Sequence, residues 1–145
     1  MSFMSISVKE AMDCINSTNN GWFLPAVQRP FVWGSRYESE KYICKLFDSI
    51  LRGYPIGTLI VWNSDKEVPY RQFMNDYIDG EIASFVDKNM WKREDKWLVY
   101  DGQQRLQTLF SCLKYTLNKR VLTFNLFFDI NGTDDAEANG FEFYR

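Results

Sequence analysis

An aspartate, a glycine, two glutamines and an arginine stand in a row at positions 101–105, inside the stretch WLVYDGQQRLQTLF. The apolar run before them reads as a strand ending at Asp101, and the apolar residues after them recur at helical spacing. A helix that begins at a strand end offers free N–H groups and partial positive charge, which bind anions, phosphate above all. Gly102 lets a ligand come close to the backbone. Arg105, one turn in, can fork onto a phosphate or a carboxylate. Gln103 and Gln104 can donate to phosphate oxygens or orient a water. Asp101 can cap the helix, hold Mg²⁺ beside a phosphate, or accept a proton. A plain capped helix competes with the anion site, because Asp is a favoured cap and Asp-Gly is common at turns.

A second stretch, VQRPFVWG, carries Gln28 and Arg29 between Pro25 and Pro30, followed by Phe31 and Trp33. Proline stiffens the backbone on either side, so a pre-ordered loop can present an amide and a guanidinium as a second anion clamp, with Trp33 as a stacking platform. The competing reading puts Phe31, Val32 and Trp33 in the core and pairs Arg29 with a surface acid.

What the chain lacks narrows the chemistry. It has no histidine, which removes Ser-His and Cys-His nucleophiles, most zinc sites and the usual general base. Its 17 basic and 19 acidic residues argue against a bulk electrostatic grip on nucleic acid. No run of roughly 18 apolar residues is present, so no membrane span is expected, and MSFMSISVKEAMD reads as a helix start rather than a signal peptide. Cys14, Cys44 and Cys112 are odd in number and widely spaced, which reads as free, packed thiols of a reducing cytoplasm.

The elements that must position these residues follow from pattern. At 145 residues, 46% of them hydrophobic, the chain is expected to be one domain over 1–145. Ser7 and Glu10 form a capping box for a first helix whose face is Val8, Met12 and Ile15. Residues 22–33 read as a short strand and an extended loop. A second helix follows, with Ser35 and Glu38 as another capping box, Ile43, Phe47, Ile50 and Leu51 on one face, and Gly53 at its end. PIGTLIVW, 55–62, reads as a strand. Residues 63–96 read as an irregular, insertion-like segment with one short helix, YIDGEIASFV being weakly helical, and KREDK at 92–96 as a solvated charge run. Trp62, Trp91 and Trp97 read as core or interface. A third helix spans 103–117, with Leu106, Leu109, Phe110, Leu113 and Leu117 on one face. Leu122, Phe124, Leu126, Phe128 and Ile130 alternate as a strand, and FEFYR returns as its hairpin partner, so the chain reads as a fragment of a longer protein. Asp129, Asp134 and Asp135 read as solvated charges of that hairpin.

Taken together, LPAVQRPFVW, KLFDSILRGYPIGTLIVW and WLVYDGQQRLQTLF, in that order, resemble the DGQQR-containing N-terminal domain of GmrSD-type restriction and phage-defence proteins. The resemblance runs over 22–62 and 97–145, and no motif in 63–96 belongs to it. It implies an α/β, ParB/sulfiredoxin-like fold: a small mixed sheet with packed helices, in which the first strand neighbours the Asp101 strand. It implies a nucleoside triphosphate (GTP or another) bound with Mg²⁺ and hydrolysed. Gln28, Arg29, Gly102 and Arg105 would hold phosphates. Asp101 would hold the metal or the attacking water, with Gln103 or Gln104 orienting it. It further implies DNA as the target of the full-length protein, a C-terminal nuclease domain beyond Arg145 that supplies histidine, and possible self-association. Two readings stay open beside it: a DNA-binding or sensing module using Arg29, Arg105 and Trp33, and a ParB-like metal-dependent nuclease using Asp101 and a second acid.

Overall fold

The first helix starts where the capping box places it. The Glu10 amide donates to Ser7 Oγ at 3.2 Å, and the Ser7 amide donates to Glu10 Oε2 at 2.8 Å. The resulting helix, α1 (Val8–Cys14), buries Ala11 and Met12. The computed structural model describes residues 3–27, 29–33, 40–117, 119, 124–126 and 141–143. Gln28, the Ser35/Glu38 capping box, Leu122, Phe128, Ile130, Asp129, Asp134 and Asp135 lie outside the described residues.

Beyond α1 come β1 (Gly21–Pro25), α2 (Glu40–Leu51), β2 (Ile60–Asn63), β3 (Tyr70–Arg71), β4 (Asp76–Tyr77), a 3₁₀ turn at Lys88–Met90, β5 (Lys96–Asp101), α3 (Gln103–Lys114), β6 (Thr116–Leu117), β7 (Phe124–Leu126) and β8 (Phe141–Phe143). The main sheet has the order β2-β5-β1-β3. Its centre is a parallel pair, with Trp22 opposite Trp97 and Phe23 opposite Leu98. Its outer strands run antiparallel to that pair, which makes the sheet mixed and the fold α/β. The expected adjacency of the first strand and the Asp101 strand is borne out.

Both faces of this sheet are covered, so the middles of its central strands, Trp22–Leu24 and Trp97–Val99, are apolar on successive residues. One face gives Trp22, Leu24 and Val99 to a core with Met12, Ile43, Phe47, Leu106, Leu109 and Phe110. The other gives Phe23 and Leu98 to a smaller cluster with Tyr70, against which Val68, Val86 and Trp91 pack. Residues 63–96 thus supply the cover of the second face, besides sending Phe73, Tyr77 and Ala83 into the main core.

Several sequence expectations hold. The α2 helix ends at Gly53, which has φ 69° and donates to the Ile50 carbonyl at 3.0 Å. β7 and β8 pair antiparallel, Phe124 with Phe143 and Leu126 with Phe141. The cysteines are thiols. Among the described residues no helix is long and apolar enough to cross a membrane.

Others are corrected. YIDGEIASFV is not helical: Tyr77 lies in β4, which pairs parallel with β6, and Phe85 bridges Arg71. The α3 helix stops at Lys114 rather than at 117, because Thr116 and Leu117 are drawn into that same β4–β6 pair. Leu113 accordingly faces solvent, 52% exposed, while Leu117 is buried from a strand. The strand read over 55–62 begins only at Ile60. The KREDK run is not uniformly solvated. Lys96 is 0% exposed, and Arg93 pairs with Asp95 at 2.6 Å and with the Thr18 carbonyl.

Candidate functional site

The joint between β5 and α3 is built by Gly102. It takes the N-cap position with φ 90° and ψ 7°, and no side chain caps the helix there. Asp101 therefore does not serve as the cap, and the first N–H groups of α3 are left to the backbone, water or a ligand. Left-handed backbone suits glycine, and there is a packing reason too: a Cβ on Gly102 would run into the side chain of Leu59.

Each polar residue after Gly102 reaches a different segment. Gln103 Nε2 donates to the Val99 carbonyl at 2.7 Å. Gln104 clasps the loop after β1 at two points, donating to the Pro30 carbonyl and accepting from the Val32 amide, both at 3.0 Å. Arg105 turns the other way. Its Nη1 donates to the Ile56 carbonyl at 2.6 Å, and its Nη2 to the Thr58 carbonyl at 2.7 Å and to Asp101 Oδ2 at 3.2 Å. These bonds explain the late start of β2: the carbonyls of 56 and 58 point to a guanidinium instead of a strand, and Gly57 between them has φ 94°.

Gln107 completes the set and was not singled out by sequence reasoning. Its amide bonds both backbone groups of Met74, at 2.9 and 3.1 Å, and donates to Ser111 Oγ at 2.8 Å. The available signal was a glutamine inside the apolar stripe of α3, between Leu106 and Leu109.

The site residues thus divide between two flanks of the α3 N-terminus. On one flank Arg29, exposed, shares a pocket with Gln103, Gln104 and Gln107, closed by Phe31, Glu81 and Ile82. This pocket lies at the carboxyl ends of the parallel strands β1 and β5, where open α/β sheets hold ligands. Its volume is ≈ 20 Å³, room for about one water. Tyr77 steadies its wall by donating to the Phe31 carbonyl at 2.7 Å. On the other flank stand Arg105, 18% exposed, and Asp101, 63% exposed. Trp33 is half-buried and stacks on Tyr42, ring centroids 5.8 Å apart. Among the described residues no three His, Cys, Asp or Glu side chains come together to hold a metal ion.

The fold and this joint define a small mixed α/β domain with a glycine-led helix N-terminus at the carboxyl ends of two parallel strands. Residues 10–143 match the family described as the N-terminal domain of the GmrSD restriction endonuclease. The chain belongs to that family, as the three stretches around Arg29, Gly57 and Asp101 led one to expect. It is also 31% identical over 132 residues to the uncharacterized protein MJ0686 of Methanocaldococcus jannaschii, an alignment covering 88% of this chain and 21% of that protein. The chain therefore spans about a fifth of the curated relative it matches.

Proposed function

We propose that this is a nucleoside triphosphate-binding and hydrolysing regulatory domain of a DNA-targeting restriction protein, with a ParB/sulfiredoxin-like phosphate cradle at the β5–α3 joint. The observation that carries the reading is the uncapped N-terminus of α3 beside a pocket that gathers Arg29, Gln103 and Gln104. Phosphates would lie on the N–H groups following Gly102, with Arg29 neutralising them from the β1 loop. Arg105 would contribute by exchanging a carbonyl for a phosphate oxygen. Asp101, 63% exposed, fits Mg²⁺, which takes one or two carboxylates and completes its shell with phosphates and water. Gln103 would orient the attacking water through Oε1, and Gln104 would hold the Arg29 loop in place. The base would stack on Trp33. Such a set can support phosphoryl transfer, in which positioning and charge stabilisation dominate. DNA, a histidine-bearing nuclease domain, self-association and a cytoplasmic setting belong to the full-length protein on this reading.

The test is thermal unfolding with each of the four ribonucleoside triphosphates, with and without Mg²⁺. A ligand at about 100 times its Kd adds roughly 2.7 kcal/mol, several degrees for a domain of this size. One nucleotide should raise the midpoint in the parent and not in Arg29→Ala, whose exposed side chain is free to be removed without loss of fold. No shift with any nucleotide would sink the reading and favour a DNA-binding module.

A further inference from the structure

Residues 56–59 cross the β5–α3 joint without joining the sheet. Among the described residues, Arg105 supplies the side-chain hydrogen bonds that hold them, at 2.6 Å to Ile56 and 2.7 Å to Thr58. Gly57 sits against the same guanidinium, where a Cβ would strike Nη1, and Leu59 covers the α-carbon of Gly102. Ile56 and Leu59 are half-buried and pack against the edge of the main core, while Gly57 and Thr58 are exposed. Leu59 and the occupied guanidinium thus stand on the surface that a phosphate would need.

We infer that residues 56–59 are a strap that keeps the phosphate site closed, and that a triphosphate opens it by drawing Arg105 off the Ile56 and Thr58 carbonyls. The inference rests on the nucleotide reading above. Its physical basis is a difference in acceptor strength. Against the carbonyls the guanidinium sets a charge against a dipole, whereas against a phosphate it sets charge against charge and can bond bidentately, which makes the phosphate the stronger acceptor. The ligand therefore gains in the open form what it lacks in the closed form, which is the condition for shifting a two-state element. Gly57, at φ 94°, is the hinge. The closed strap lowers apparent affinity by the fraction of molecules that are open, so loosening it should tighten binding.

Gly57→Ala tests this, because the added methyl meets both the guanidinium and a left-handed backbone. The control is Gly53→Ala, strained alike at φ +69° but with open space around it. Probes are the Mg²⁺ complexes of the four ribonucleoside triphosphates and inorganic triphosphate. Gly57→Ala should melt below the parent yet bind at least about threefold tighter, whereas Gly53→Ala should melt lower with unchanged affinity. In the parent, saturating nucleotide should speed amide exchange over 56–60 and slow it over 103–110. Binding without a gain in Gly57→Ala, or with strap exchange unchanged or slowed, would overturn the strap and leave the nucleotide reading standing. If Gly57→Ala fails to fold, the exchange in the parent decides. Absence of binding to every protein and probe would remove both.

Discussion

A cation stands at each end of β5, Lys96 on the strand itself and Arg105 in the first turn of α3; each gathers the backbone carbonyls of a loop, and the two differ in what surrounds them. At the start of the strand Lys96 is 0% exposed. Its Nζ donates to the carbonyls of Ser64, Lys66 and Arg93 at 2.7, 3.0 and 2.6 Å. Burial pulls its pKa below the ordinary lysine value. At the far end Arg105 holds two carbonyls and a carboxylate that is itself mostly in water. The same device therefore has two energetic characters. Around Lys96 no water can replace the ammonium, so the turn over 64–66 and the cation fold or unfold together. Around Arg105 water and anions can compete for both partners, so the loop it holds can exchange without loss of the core.

The largest effect that would break this comparison comes from Lys96→Met. The substitution keeps the stem and removes the donor, leaving one buried and two partly buried carbonyls without it. An unsatisfied buried group costs about 1–3 kcal/mol, so we expect a loss on the order of 3 kcal/mol or more in urea unfolding at neutral pH. A loss below about 1 kcal/mol would mean that water reaches Nζ and that the two ends of β5 are alike. Arg105→Ala should cost less, about 2 kcal/mol, because the carbonyl of exposed Thr58 and the Asp101 carboxylate regain water. It should also speed amide exchange over 56–59 while leaving 106–110 protected. Equal losses in the two variants would show Arg105 to be a permanent staple as well.

How far these features could be read in the sequence depended on the distance between the partners. The Ser7–Glu10 box, the end of α2 at Gly53 and the change from strand to helix at Gly102 are set within a turn of chain, and local pattern located them. The start of β2 at Ile60 was misplaced because Arg105, 47 residues beyond Thr58, claims the carbonyls that a strand would have used. The end of α3 was misplaced because Thr116 and Leu117 pair with Asp76 and Tyr77. Lys96 looked solvated because the three carbonyls that satisfy it come from a turn some 30 residues away and from Arg93. At the candidate site, the residues at 101–105 and the loop of Arg29 were legible by type. Their division between two flanks was not, since it depends on which loop each side chain clasps. Gln107 was missed for the same reason: a buried amide declares itself only when its backbone partner, Met74, is known.

Cys112, on the helix that carries Arg105, separates burial from partnering and gives the smallest of the three effects. Burial, followed by the nearby Cys44, raises its thiol from the ordinary value of 9.0 to about 12. In the unfolded chain this thiol ionises above about pH 9, whereas in the folded chain it stays neutral until about pH 12. Its contribution is therefore complete below pH 9 and declines as pH rises toward 12, at about 1.4 kcal/mol per unit within that window. Urea unfolding at pH 8, 9 and 10 should show this decline in the parent and a flatter profile in Cys112→Ala. The thiol should also alkylate slowly at pH 8 in the folded protein. Identical profiles in parent and variant would place water at Cys112, and with it a path into the α3 face of the core. In that case the contrast between a sealed Lys96 and an accessible Arg105 would reflect local loop openings rather than depth along β5.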